Sequence, residues 1–226
     1  MKRLVLDSSS LISFSEKCLM KVIAKLAELN DVQFLMPESV YVESVVRPLE
    51  IKRFELNAIR VQDAINDGWL RVEKNDAEIK RLTKKVLELS SGLFSTFEGP
   101  IRLIHEGEAQ TIALIKKFQA DALVIDERTT RMLIEAPKQL VKTMEERYLS
   151  EITVDEKRVR EFRKFVGEPE IVRSVELIAL AYERGCFRGE LQETKKALSA
   201  ALFAAKFAGC AVSFNEINAF LGGVKE

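Results

Sequence analysis

Two rhythms of apolar positions alternate along this chain: short unbroken runs, and longer stretches that repeat every three or four residues. Arg3 to Leu6 is apolar after its first residue, the pattern of a strand covered on both faces. Ser8 to Ser10 then offer capping hydroxyls to a helix beginning near Leu11. Leu19, Val22, Ile23, Leu26 and Leu29 recur at helical spacing, Asn30-Asp31 interrupts them, and Val32 to Met36 forms a second short strand closed by Pro37. A β-α-β unit results. Val40 to Val46 reads as a helix that stops before Pro48, Ile51 to Ile65 as a further helix, and Trp69 to Val72 as a strand after the Asn66-Asp67-Gly68 turn.

Glu78 to Leu89 is an amphipathic helix, and Ser90 to Pro100, with Gly92, Gly99 and Pro100, reads as a loop. A strongly periodic helix covers Glu106 to Phe118, a strand Ala122 to Ile125, and a helix Glu127 to Glu135, ended by Ala136-Pro137. Strands thus alternate with helices to about residue 137, which predicts an α/β fold of three layers, a largely parallel sheet between helices. Beyond that point the only strand signal is a weak one at Glu151 to Val154. Ile171 to Arg184, Leu191 to Ala208 and Phe214 to Leu221 are helical, and the middle one carries a face of small residues, Ala197, Ala200, Ala201, Ala204, Ala205 and Ala208. The expected organisation is a core over 1–140 and a mostly helical C-terminal extension, 141–226, packed on it.

Composition narrows the picture. Of 226 residues, 47% are hydrophobic, enough for a full core, and 35 basic residues cancel 35 acidic ones, so any contact with nucleic acid must be local. Cys18, Cys186 and Cys210 are odd in number and widely spaced in apolar surroundings, which predicts reduced core thiols and a reducing cytoplasm. The apolar run before Asp7 is too short for a signal peptide, and Lys206 interrupts the most apolar segment, Ala197 to Phe214, so neither export nor a membrane span is expected.

Four carboxylates stand out against this frame. Asp7, Glu43, Glu108 and Asp126 each fall beside a predicted strand end or in the helix that follows it. Ligands of open α/β sheets bind outside the carboxyl ends of the strands, so acids gathered there have chemistry as their natural use. Carboxylates without a histidine or cysteine cluster favour hard cations, Mg²⁺ or Mn²⁺, over zinc. Without a cation, several would repel one another and raise each other's pKa values. Each acid also has a bland reading: Asp7 and Asp126 as helix caps, Glu108 as a partner of a helix dipole. A function-free account must hold for all four at once.

The residues around these acids resemble the PIN-domain ribonucleases. The matches are Leu4-Val5-Leu6-Asp7-Ser8-Ser9-Ser10-Leu11-Ile12, Met36 to Glu43, Gly107-Glu108-Ala109-Gln110-Thr111-Ile112-Ala113-Leu114, and Val124-Ile125-Asp126-Glu127-Arg128-Thr129-Thr130-Arg131. The segment from Arg173 to Leu221 also looks like the C-terminal helices of one prokaryotic, toxin-like subgroup. The resemblance implies a PIN-like parallel sheet, an acidic cleft holding one or two Mg²⁺ or Mn²⁺ ions, and endonucleolytic hydrolysis of RNA to a 5′-phosphate and a 3′-hydroxyl. It makes Asp7, Glu43, Glu108 and Asp126 the catalytic metal ligands and Ser9 a supporting hydroxyl. Many members are toxins paired with an antitoxin and many form dimers, so RNA, an antitoxin and a second copy are the implied partners. Val124 stands where many members place Thr or Ser, and Glu108 where some use Asp.

Neighbouring residues complete the set. Glu127 is a reserve ligand for a second metal, and Arg128 and Arg131 carry guanidinium groups suited to a phosphate. His105, one turn before Glu108, is more simply structural than a base. Lys80, Arg81, Lys84 and Lys85 form a basic stretch, and Tyr41 and Trp69 are more simply core than base-stacking. Asp121 precedes its strand and lies on the wrong edge. Ser9 excludes a haloacid-type phosphatase, which needs an Asp there, and no glycine-rich phosphate loop is present. The rival is a catalytically inactive PIN-fold module that binds RNA or protein.

Overall fold

In a computed structural model, which describes residues 1–223, the chain runs β1 (Lys2–Leu6), α1 (Ser8–Glu16), α2 (Met20–Leu29), β2 (Val32–Pro37), α3 (Glu38–Tyr41), a π-helical turn (Val42–Val46), α4 (Arg47–Leu49), α5 (Glu55–Asn66) and β3 (Leu70–Glu73). It continues with α6 (Ala77–Ser90), β4 (Phe94–Thr96), β5 (Gly99–Pro100), α7 (Glu106–Phe118), β6 (Ala122–Val124), α8 (Arg128–Glu135) and α9 (Pro137–Tyr148). The remainder is β7 (Thr153–Val154), α10 (Glu156–Val166), β8 (Glu170–Val172), α11 (Ser174–Glu183), α12 (Lys195–Ala208) and α13 (Phe214–Gly223).

Five strands form one parallel sheet in the order β3-β2-β1-β6-β8. Alternate residues of each strand feed opposite cores, because successive side chains point to opposite faces. Leu4, Leu6, Phe34, Met36, Ala122 and Val124 pack beneath α1, α2, α5, α11 and α12. Val5, Leu35, Leu123 and Ile125 pack beneath α6, α7, α8, α9 and α10. This is the expected three-layer PIN-like α/β/α fold with a helical C-terminus. Fully buried Phe14 and Phe187 on the first face and Phe94 and Phe162 on the second contribute about 2–3 kcal/mol each by apolar burial.

The region after residue 140 does more than lie against a finished core. Its strand β8 is the fifth strand of the sheet, its α10 joins one apolar core, and its α11 and α12 join the other. The last three residues of the expected extension, Val224 to Glu226, lie outside the described residues. Three other expectations shift. The stretch from Ser90 to Pro100 contains the β4-β5 hairpin, which pairs with β7 in a small second sheet. The helix at Val40 does not stop before Pro48. Proline lacks an N–H and its ring would crowd the carbonyl four residues back, and the chain answers by widening the preceding turn, with Arg47 N–H donating to Val42 O. Cys18 is exposed, not core. It closes α1 with φ 59°, while Leu19 N–H reaches back to Phe14 O, the left-handed cap at which glycine is preferred. Cys186 and Cys210 are buried, and no helix among the described residues is long and apolar enough to cross a membrane.

Replacing Cys18 by glycine is expected to relieve the left-handed strain and stabilise the fold by about 1 kcal/mol. Thermal unfolding checks this, with an expected rise of about 2–4 °C for a chain of this size.

Candidate functional site

The sheet order reverses between β1 and β6, whose neighbours β2 and β8 lead away in opposite directions. Crevices at such switch points, outside the carboxyl ends of the strands, are where open α/β sheets bind ligands. Asp7 directly follows β1 and Asp126 lies two residues past β6, so register alone sets two acids side by side there. Asp7 N–H donates to Val124 O at 3.0 Å and Ser10 Oγ donates to the same carbonyl at 3.1 Å, which fixes the two strand ends against each other.

Ser9 bridges the two acids. Its N–H and Oγ–H both donate to Asp7 Oδ2, at 3.1 and 2.8 Å, while its Oγ accepts from Asp126 N–H at 3.0 Å. Asp7 therefore does cap α1, and its capping contact is also what aims it. The side chain is only 5% exposed. Burial pushes its carboxyl up to about 6 from an ordinary 3.8; the Ser9 bonds pull it down, and the charge of Glu108 pushes it up again.

Glu108 reaches this neighbourhood from the first turn of α7. It is half-buried and closes a capping box with His105, accepting the His105 N–H at 3.1 Å. His105 is thus the structural cap of that helix. Glu43 comes from the π-helical turn ahead of Pro48 and is exposed. Its carboxylate lies against Gly107, where an added Cβ would stand 3.3 Å from Oε1. A methyl group there would push the carboxylate back by a few tenths of an ångström, so the glycine lets Glu43 lie this close to the start of α7.

Asp126 is held differently. It is 1% exposed, Ser13 Oγ donates to its Oδ2 at 2.6 Å, and Ser174 N–H donates to its Oδ1 at 2.8 Å. Its backbone carbonyl accepts from Ala211 N–H at 3.1 Å. Cys210 sits beside it, its thiol pushed up to about 12 by burial and then by the Asp126 charge. Sequence reasoning missed Ser13, Gly107, Ser174 and Cys210. Ser13 had one signal, a serine placed a helical turn after Ser9.

The remaining expected residues fall as follows. Glu127 caps α8, taking Thr129 N–H at 2.6 Å and Thr130 N–H at 2.7 Å, so both its oxygens are engaged. Arg128 is exposed and its Nε lies 3.2 Å from Met132 Sδ; Arg131 reaches Glu135 and the Ala211 carbonyl. Lys80, Arg81, Lys84 and Lys85 line the exposed face of α6. Trp69 packs edge-on against Phe34 beside a groove of about 560 Å³ at the opposite, amino-terminal ends of the strands, away from the acids. Asp121 lies at that same end, accepting Arg3 N–H at 2.8 Å.

Among the described residues, no three acid, histidine or cysteine side chains are arranged to hold a metal ion. The donors nonetheless suit one chemically. They are all carboxylate oxygens, the donors hard cations take, and burial pushes the Asp7 carboxyl up to about 6.

A family model described as a PIN domain matches residues 3–144, from β1 into α9. Searches of curated proteins and of solved structures each returned no match.

Because Asp7 binds its proton more tightly when folded than the roughly 3.9 of an unfolded chain allows, its ionisation costs stability as pH rises from about 4 through 6. In metal-free protein, Asp7→Asn removes that cost and leaves an oxygen for Ser9. The variant is expected to be more stable than wild type at pH 8, by up to about 3 kcal/mol, with the gap closing as pH falls from 6 to 4. Denaturant melts across this range test it; a gap that widens toward acid contradicts it.

Proposed function

The chain belongs to the PIN-domain family, a nuclease fold whose members typically use divalent metals, and from that membership we propose that it is a metal-dependent endoribonuclease. The observation that carries the reading is the placing of Asp7, buried, at the switch point of the sheet, with the charge of Glu108 near enough to push its carboxyl up. An acid buried there at a cost to stability is better accounted for by a cation it awaits than by helix capping, which Ser or Asn would perform without the charge.

Asp7, Glu108 and Glu43 would hold the cation, each from a different element. Ser9 fixes Asp7, the capping box fixes Glu108, and Gly107 lets Glu43 approach. Bound there, Mg²⁺ or Mn²⁺ would supply Lewis acidity, favouring deprotonation of a water and drawing charge from a phosphate oxygen. The chain's part is to orient these oxygens, and Arg128, exposed at the start of α8, is a cation for the substrate backbone. RNA as substrate, an antitoxin as inhibitor and a homodimer as the working form belong to this proposal through the resemblance. The alternative, a non-catalytic PIN-fold binding module, has one observation in its favour, that no trio of ligands is assembled among the described residues.

Purified protein with Mn²⁺ or Mg²⁺ is expected to cut single-stranded or structured RNA and leave 5′-phosphates, with EDTA stopping it and Asp7→Asn abolishing it. Cleavage retained by Asp7→Asn contradicts the site; no cleavage of any RNA and no Mn²⁺ binding leave the binding module. Gly107→Ala places a methyl group against the Glu43 carboxylate, which is exposed and able to swing aside. It is expected to lower cleavage about ten- to a hundredfold through misplacement of that oxygen, with a melting temperature unchanged or slightly raised.

A further inference from the structure

We propose that Asp126 is a positioning residue, a latch that fastens the C-terminal helices to the nuclease core, and not a ligand of the cation. The inference rests on the metal-dependent reading of Asp7, Glu43 and Glu108, and it separates the fourth acid from the other three.

Asp126 is the most deeply buried of the four, at 1% exposed, and its two oxygens are turned to different parts of the chain. Oδ2 takes the hydroxyl of Ser13 on α1, and Oδ1 takes the backbone N–H of Ser174, the first residue of α11. The ten-residue α11 presents its positive end to this side chain, so the partner of Oδ1 is supplied by the protein. The Cys210 thiol borders it from the loop between α12 and α13, and Ala211 N–H binds its carbonyl. Three chain segments distant in sequence thus converge on one side chain. On Asp7, by contrast, the Ser9 bonds converge on Oδ2 alone, Glu108 is half-buried, and Glu43 is exposed.

The same loop is locked from outside. Arg173, 8% exposed, donates to the Ala211 carbonyl at 3.0 Å, to Glu176 at 2.9 Å and to Glu216 at 2.8 Å. Against the upward push of burial, Ser213 and Arg173 hold Glu216 down at about 2, so this outer clamp stays ionised at neutral pH. The latch also reaches the cation-binding acid at second hand: Asp126 N–H holds Ser9 Oγ, which holds Asp7. That link is main-chain, so replacing the Asp126 side chain leaves it in place and removes no donor oxygen from the metal.

The test measures metal binding and backbone protection on the full chain, without reliance on cleavage. Mn²⁺ titration by calorimetry is expected to show Asp126→Asn within about threefold of wild type, while Asp7→Asn, which loses the charge of a ligand, falls about tenfold or more, at least as far as loss of a group that only orients one. Hydrogen exchange at the Ser174 amide is expected to quicken about tenfold or more in Asp126→Asn, because the bond that holds it loses its charge assistance. Ser13→Ala, which keeps the carboxylate, covers the case in which Asp126→Asn does not fold. It should leave Mn²⁺ binding intact and quicken the same amide several-fold. Loss of Mn²⁺ binding in Asp126→Asn as deep as in Asp7→Asn overturns the proposal, and so does an unchanged Ser174 amide in both variants. A wild-type chain that binds no Mn²⁺ sinks the nuclease reading alone, since the exchange arm still decides the latch.

Discussion

Ionised carboxylates in a poorly solvated crevice repel one another, and the way that repulsion is answered shapes much of this molecule. Asp126 is answered locally, by a hydroxyl and a helix end. Asp7 is answered only in part, by Ser9, and is left with a carboxyl shifted to about 6. Carboxyls perturbed in this way cluster at functional sites. The unequal treatment of neighbouring acids, one satisfied by protein and one left wanting, is the physical signature of a division of labour.

The sheet creates that opportunity and the helices refine it. Parallel pairing of β1 with β6 puts Asp7 and Asp126 at one end of adjacent strands, where no further element is needed to bring them together. Glu108 and Glu43 must be delivered from helices, and each delivery depends on a local irregularity. For Glu108 it is the reciprocal cap with His105, and for Glu43 a π-helical turn facing a glycine. π-helical turns are uncommon and recur at functional sites. Pro48 is the residue that makes the regular helix untenable here.

Much of this was legible in the sequence, and for identifiable reasons. The runs at Leu4 to Leu6 and Ala122 to Ile125 are apolar because both faces are covered, and the acids after them mark the strand ends. What escaped was of two kinds. Glu170-Ile171-Val172 is a three-residue strand wedged between Pro169 and Arg173, too short for any periodicity to register, and α10 shows only Val159, Phe162 and Val166 inward among many charges. The partners of Asp126 escaped because a backbone N–H, such as that of Ser174, carries no residue-type signal, and because Ser13 and Cys210 are ordinary core residues until the fold brings them to a carboxylate. The expectation of Cys18 as core failed because its backbone, not its side chain, is what the helix end uses.

The late position of β8 bears on how the chain is made. Strands β1, β2, β3 and β6 are complete once residue 124 has been synthesised, yet the sheet lacks its fifth strand until residue 172 follows, and the helices that cover one face come later still. A chain emerging from the ribosome therefore spends the synthesis of about fifty residues with the β6 edge open, and longer with one apolar face only partly covered, by α1, α2 and α5. Such surfaces are the ones on which nascent chains misassociate and which chaperones engage. Ser174 and Ala211, whose amides hold Asp126, are made later still, so an elongating chain carries the acids well before it carries the architecture that sets this one.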